Sequence, residues 1–294
     1  MKLAGIDIGS NAIRLKIVNV IEQGEFDFFI KKLEYIRFPL RLGHDVFQNG
    51  FISEPKQEKF ISLMHSFKNF VDLYETNDYF AVATSAFREA GNGKEIKERV
   101  FKDCDLSIQI IDGDREAELL SSAILPFLDN QVFLHIDVGG GSTELNLYHQ
   151  KTKVRSRSFK IGSVRLLENK TDPSEWKLMK DWINKEVIRP FGSAQSIGTG
   201  GNINKVFELS RAIGSNSIPL EKVIEIQDML NSYSPQERIF QLRLNPDRAD
   251  VILPASDIYI NVMRWCNSSN ILVPQVGLMD GVINHLYHRI KEPV

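Results

Sequence analysis

Cysteine is almost absent from this chain: Cys104 and Cys266 are the only two, far apart and without metal-ligand spacing. A disulfide scaffold and a thiolate metal site are thereby set aside, and both thiols are expected as small buried hydrophobes in a reducing compartment. No charge of either sign dominates. Thirty-six Lys and Arg face 38 Asp and Glu, a net charge of −2. No global basic field marks a nucleic-acid binder, so any polyanionic ligand must be held by local clusters. Long apolar runs are missing too. The opening "MKLAGIDIGSNAIRLKIVNV" is interrupted by charges and glycines, which argues against a signal peptide, a membrane span or a membrane partner and makes the cytoplasm the expected compartment. The six histidines show no metal-binding spacing, and His285 and His288 are expected on the surface of the last helix.

What is present is the make-up of a soluble globular protein, 43% hydrophobic and 25% charged, in a chain of 294 residues. That length allows two domains of ordinary size. "LAGIDI" and "IRLKIVNV" read as strands joined by a Gly-Ser-Asn turn, and "FDFFIKKLEYIRF" as one or two more, its aromatics expected in the core. Residues 53–74 carry apolar residues at helical spacing behind a Ser-x-Pro start. A strand at 79–85, a helix at 94–103, a strand at 106–112 and a helix over about 114–127 follow. Then "VFLHIDV", "ELNLYH" and "KVRSRSFKI" read as strands. Capping boxes are expected at Asp172-x-x-Glu175 and Ser234-x-x-Glu237. A strand at 193–199 leads into a helix at 202–209, and a helix over 279–290 closes the chain.

The pattern restarts partway. "DIGSNAIRLKIV" (7–18) lies under "DVGGGSTELNLY" (137–148) without a gap, Asp on Asp, Gly9 on Gly139 and Leu15 on Leu145. Such a repeat points to two similar half-molecules. Glycines between two strands allow positive φ, so successive backbone N–H groups can face one concavity where an anion sits. Ser142 and Thr143 add hydroxyl donors. The turn thus reads as a phosphate cradle, with a plain glycine-rich hairpin as the alternative. Asp137 beside it would hold a hard cation such as Mg²⁺. Two such loops facing each other would grip a phosphate from both sides, as in the actin-like fold. "GTGG" (198–201), with Gly200 and Gly201 ahead of a helix, would suit a further phosphate or serve as a simple strand-to-helix turn.

These residues resemble the exopolyphosphatase / guanosine pentaphosphate phosphohydrolase (Ppx/GppA) family. The matches run in order: "DIGSNAIRL" at 7–15, "RLG" at 41–43, "ATSAFREAGNG" at 83–93, "GDREAEL" at 113–119, "DVGGGSTEL" at 137–145, "GSVRL" at 162–166, "GTGG" at 198–201 and "RADVILP" at 248–254. The resemblance implies an α/β protein of two actin-like (ASKHA, RNase H-like) domains with an interdomain cleft. The first would hold 1–122 plus about 279–294, the second 123–278.

By the same resemblance Glu116 stands where the family keeps its catalytic base, taking a proton from a water aligned on the terminal phosphorus. The alternative is that Asp114, Glu116 and Glu118 merely favour the start of a helix. Arg88 matches an arginine that contacts phosphate, with an ion pair to Glu89 as its plain alternative. Asp7, Gly9, Ser10, Asn11 and the loop Gly139, Gly140, Gly141, Ser142 and Thr143 would cradle phosphates. Asp137, with Glu144 close by, would hold Mg²⁺ or another divalent cation.

The activity implied is hydrolysis of the terminal phosphoanhydride of inorganic polyphosphate. Guanosine pentaphosphate is the rival substrate, and a non-catalytic sensor of phosphorylated metabolites the rival of another class. Nucleic acid is not an expected partner; a homodimer is left open. Lys151, Lys153, Arg155 and Arg157 alternate and would share one strand face, either a polyphosphate track or a solvated surface. The chain also ends without the helical extension of longer relatives, which favours short substrates as an expectation. Arg115, Ala12, Asn202, Met279 and Asp280 depart from the family pattern and put rate and preference at issue.

Overall fold

Both members of the repeat fold into the same hairpin. In the computed structural model, which describes residues 1–22, 28–212 and 214–291, the chain forms two units, Met1–Ala123 with Leu278–Val294 and Ile124–Gly277. In the first, β1 (Lys2–Ile8) is buried along nearly its whole length, as a central strand must be, and pairs antiparallel with β2 (Ile13–Glu22). β2 alternates, with Ile13, Leu15 and Ile17 inside and Arg14 and Lys16 half-exposed. β3 (Phe28–Phe38) is a single edge strand. The expected start of that strand at Phe26 and Asp27 lies outside the described residues. Its aromatics are not the core they were expected to be. Phe29, Tyr35 and Phe38 are exposed, while Phe28 stacks on Tyr287.

The unit continues through α1 (Leu42–Asn49), α2 (Glu54–Leu73), β4 (Asp78–Ala83), α3 (Ser85–Glu89), α4 (Gly93–Cys104), β5 (Ile108–Ile110) and α5 (Gly113–Ile124). The sheet order is β3-β2-β1-β4-β5, with β1, β4 and β5 parallel.

The closing helix, Leu278–Lys291, completes this first unit. Val282, Ile283 and Leu286 join Leu3, Val18, Phe80, Val82 and Leu119 in one apolar cluster. Ion pairs Lys16–Asp280 (2.5 Å) and Arg289–Asp78 (2.6 Å) hold its rim. His285 is not a free surface residue. It is half-buried, stacked on Phe80 and within 3.1 Å of Arg115 Nη2, whereas His288 is exposed.

In the second unit β6 (Val132–Val138), β7 (Thr143–His149) and β8 (Thr152–Phe159) repeat the three-strand meander. They are followed by α6 (Ser163–Leu167) and α7 (Pro173–Ile183), which runs through a π-helical turn at Asn184–Ile188 into α8 (Arg189–Phe191). Then come β9 (Gln195–Thr199), α9 (Gly201–Ser210), β10 (Ser217–Pro219), α10 (Leu220–Ser232), α11 (Pro235–Phe240), α12 (Pro246–Ala249), α13 (Ile252–Trp265) and β11 (Asn270–Leu272). The order β8-β7-β6-β9-β11 matches that of the first sheet, with β10 added at the edge. Even the irregularities correspond. A bulge falls at Ile17/Val18 in one hairpin and at Leu147/Tyr148 in the other, the same offset as Asp7 and Asp137.

Two local expectations fail for clear reasons. Asp172 caps α7 by accepting from Ser174 N, but Glu175 accepts from Lys160 N instead of turning back, so there is no capping box. At Ser234 both halves of the box form. The strict alternation of Lys151, Lys153, Arg155 and Arg157 also breaks. Lys151 lies in the turn at φ 61°, and the bulge skips Val154. Arg155 pairs with Glu186, and Arg157 lies 5.0 Å over the Phe159 ring. Among the described residues no helix is long and apolar enough to cross a membrane.

Candidate functional site

The carboxyl ends of parallel strands are where open α/β sheets place their ligands, and each unit gathers its motif residues there. In the second unit Asp137 stands near the end of β6, and the loop 139–142 follows. The loop carbonyls are all taken. Ser163 N donates to Gly139 O (3.0 Å), Val164 N and Arg165 N to Gly140 O (2.9 and 3.0 Å), and Arg165 Nε to Gly141 O (2.8 Å). C=O and N–H point in opposite directions across a trans peptide. With three consecutive carbonyls turned into α6, the N–H groups of Gly140, Gly141 and Ser142 face the other way, as an anion nest requires. The "GSVRL" motif is thus the support of the 139–142 loop. Gly162 must be glycine, because a Cβ there would come within 2.5 Å of Gly140 O.

The glycines themselves work differently from expectation. Gly9 and Gly139 do not take positive φ; of the three glycine turns it is Gly200 that does, at φ 110°. A Cβ at Gly139 would crowd Ser142 O at 3.2 Å, and one at Gly200 would lie 3.3 Å from Val138 O and 3.6 Å from Asp137 Oδ1. At Gly139 the value is close approach; at Gly200 it is close approach and the positive φ together. Gly201 in turn lies beneath the Arg248 guanidinium, so the "GTGG" turn is pressed against the Asp137 corner.

Asp137 and Glu144 are direct cross-strand partners, so their side chains share one face of the sheet. A carboxylate oxygen of each lies within 4.8 Å of the other. At about 5 Å two such charges repel by about 3 kcal/mol at an effective dielectric of about 20. Glu144 is only 2% exposed. Thr199 Oγ1 donates to Asp137 Oδ1 (2.7 Å) and Ser158 Oγ to Glu144 Oε1 (2.8 Å). Two carboxylates brought this close are the hard oxygen ligands that a divalent cation such as Mg²⁺ takes.

The corresponding corner of the first unit is resolved otherwise. Asp7 is 5% exposed and its cross-strand partner is Arg14, with which it forms an ion pair. Asp7–Arg14 and Asp137–Glu144 occupy the same positions of the repeat, one pair of opposite sign and one of like sign. The Gly-Ser-Asn-Ala turn is held by Gly9 N to Ala12 O, Gly43 N to Ser10 O and Arg41 N to Asn11 O. Ser10 Oγ lies 2.8 Å from Ser85 Oγ, which ties it to the start of α3. Ala12, where the family commonly has serine, is buried at 1% exposure.

Arg88 lies on the short helix α3, behind the end of β4. Its Nη1 donates to Ile111 O at 2.7 Å, at the end of β5. Asp112 caps α5 by accepting from Arg115 N, and its carbonyl takes Glu116 N, so Glu116 sits half-buried in a firmly anchored first turn. The Arg115 guanidinium turns along the helix to Glu118 (2.7 Å) and to His285. In this way the first unit brings Asp7, the 9–12 turn, Arg88 and Glu116 to the carboxyl ends of β1, β4 and β5. The second brings Asp137, the 139–143 loop, Glu144 and Gly200–Gly201 to those of β6 and β9.

Sequence reasoning missed four participants. Arg14 was visible in the repeat, opposite Glu144. Arg165 and Thr199 lie in or beside quoted motifs but carried no assigned role. His135 gave no signal at all, since a lone histidine in an apolar strand has no pattern. It is fully buried, and burial pushes its imidazole down to about 3, so it is neutral at ordinary pH.

The model of the Ppx/GppA phosphatase family matches residues 18–290. The bifunctional 3-dehydroquinate synthase/phosphatase of Fusobacterium nucleatum is 29% identical over 306 residues, 95% of this chain and 46% of that protein. Exopolyphosphatase 1 of Mycobacterium tuberculosis is 26% identical over 197 residues, 65% of this chain and 56% of that protein. The chain thus spans about half the length of the curated relatives it matches. Among solved structures, the Aquifex aeolicus Ppx/GppA family member covers 99% of both chains at 25% identity and a TM-score of 0.79. The resemblance drawn from the motifs and the α/β actin-like fold it implied are both borne out.

Proposed function

From the membership of this chain in the Ppx/GppA phosphatase family, we propose that it is a hydrolase of phosphoanhydrides that removes the terminal phosphate of inorganic polyphosphate. The observation that supports this most is the 139–142 loop, whose three carbonyls are spent on α6 and whose N–H groups are thereby turned outward beside two paired carboxylates.

The backbone of that loop, with Ser142 and Thr143, binds phosphate oxygens; Asp7, Gly9, Ser10, Asn11 and Arg88 are proposed as further phosphate contacts, and Gly200 and Gly201 serve another phosphate. Asp137 and Glu144 hold a divalent cation, Mg²⁺ or its like. When bound, that ion would neutralise charge on the phosphates. Glu116 takes a proton from water as the water oxygen bonds to the terminal phosphorus and the bridging P–O bond breaks, its electron pair leaving with the shortened chain. The cytoplasm is the proposed compartment, in keeping with two buried free thiols.

Phosphate release from polyphosphate and from guanosine pentaphosphate, assayed side by side with Mg²⁺, tests the reading. Polyphosphate is expected to be the better substrate, and Glu116→Gln to lower kcat by about 10²–10⁴-fold while substrate still binds. Faster release from the nucleotide would transfer the proposal to that substrate. Tight binding of either without release by the wild type would make the protein a sensor.

A further inference from the structure

The second sheet carries a polar chain through its interior that no phosphate contact requires. His135 (β6) lies at 0% exposure, flanked by Asn146 on β7 and by Thr199 near the end of β9. His135 Nε2 is 2.9 Å from Thr199 Oγ1, and His135 Nδ1 is 3.0 Å from Asn146 Nδ2. Asn146 Oδ1 accepts from Ser156 Oγ on β8 at 2.7 Å, and Thr199 Oγ1 donates to Asp137 Oδ1 at 2.7 Å. Four adjacent strands contribute the five members, two of them from β6, at positions already aligned by the ladder: Asp137 opposite Thr199, His135 opposite Asn146, Asn146 opposite Ser156.

Chemistry sets the direction of every link. A carboxylate only accepts, so the Thr199 hydroxyl spends its proton on Asp137 and has a lone pair left for His135. Nε2 must then carry the imidazole proton, and Nδ1 must accept. The Asn146 amide donates to it, and its carbonyl accepts from Ser156. The chain therefore runs one way, from Ser156 to Asp137. Burying an imidazole where the neighbouring residues are Leu134 and Ile136 carries a desolvation cost that an apolar residue would avoid. A fully satisfied network offsets that cost and gains rigidity. Tyr259 adds a second restraint, its hydroxyl donating to Thr199 O at 2.5 Å.

We propose that His135 is a positioning residue: acting through Thr199, it fixes the Asp137 carboxylate in the orientation that takes the cation, an inference that rests on the cation reading above. Without the histidine the Thr199 hydroxyl could rotate, and Asp137 would lose the constraint on its plane. Partners one step behind a metal ligand commonly alter metal affinity by about 10–100-fold.

Titration with Mn²⁺ alone, followed by electron paramagnetic resonance on the intact chain, reads this without turnover. Thr199→Val is expected to weaken Mn²⁺ binding by about 10-fold, and Thr199→Ser, which keeps the hydroxyl, to restore it to within about twofold. His135→Leu should weaken binding as much as Thr199→Val does, and the double variant no more than either, because one chain can be broken only once. Nitrogen NMR of the unmodified protein, needing no variant to fold, is expected to show His135 as the neutral Nε2–H tautomer.

An Nδ1–H tautomer would reverse the chain and overturn the inference. Wild-type affinity in folded Thr199→Val or His135→Leu would overturn it while leaving the cation reading intact. If the wild type binds Mn²⁺ no better than Glu144→Gln does, the cation reading has failed and the inference falls with it.

Discussion

Gly162 shows how much one missing methyl can hold open. A Cβ there would press on the Gly140–Gly141 backbone, whose carbonyls α6 must reach. Gly162→Ala is expected to cost about 1–3 kcal/mol in chemical denaturation, as overpacked sites do, and to raise KM for a phosphate substrate more than it lowers kcat. Asp45 tests a charged residue of purely structural role. Burial opposes its ionisation, but bonds from Lys56 and from Ser53 prevail and hold its carboxyl below the usual range. A folded value below the unfolded one gives stability that is full above the unfolded value near pH 4 and is lost as pH falls through the folded value. Asp45→Asn should therefore lower stability at pH 7 and narrow its gap to wild type in acid, read from unfolding curves at pH 3 and pH 7. The Asp137 and Glu144 carboxylates, the glycines and Glu116 were all legible as residues. Their partners were not, because the hydroxyl donors Thr199 and Ser158 arrive from other strands.

Elements divide by length. The 20 residues of Glu54–Leu73 give several helical periods, and Ser53 with Pro55 marks the start, so the helix is plain in the sequence. Ser85–Glu89 and Ser163–Leu167 have five residues each, too few for a period to register. Yet these short helices carry Arg88 and Arg165, which is why the expectation for Arg88 came from resemblance and the part played by Arg165 only from the structure. The closing helix is another case: its pattern predicts a helix but not its seat. Gly281 lies with its Cα against the Leu119 carbonyl, leaving no room for a side chain. Gly281→Val should lift that helix off β1, with faster amide hydrogen exchange in β1 and β4 and unchanged exchange in β6 and β7.

For the molecule as a whole, the repeat has diverged at a single decisive place. Asp7 faces Arg14 and Asp137 faces Glu144, so one corner sets an acid against a base and the other sets an acid against an acid. Asp137→Asn is accordingly expected to lower Mn²⁺ affinity by at least about 10-fold, and Asp7→Asn by less than about twofold, in the same resonance titration. Equal losses would show that the two corners share the ion.

The order of motifs and the duplicated hairpin follow from the sequence alone, because they depend on periodicity and residue identity along the chain, and the fold class from the resemblance those motifs carry. Only the tertiary structure decided that the loop carbonyls are consumed by α6, that Arg115 is held by Glu118 and His285, and that a buried histidine stands behind Asp137. The pairings of the loop with α6, of Arg115 with His285 and of His135 with Thr199 join residues distant in the chain, and such pairings are fixed by how the elements pack and what they bury.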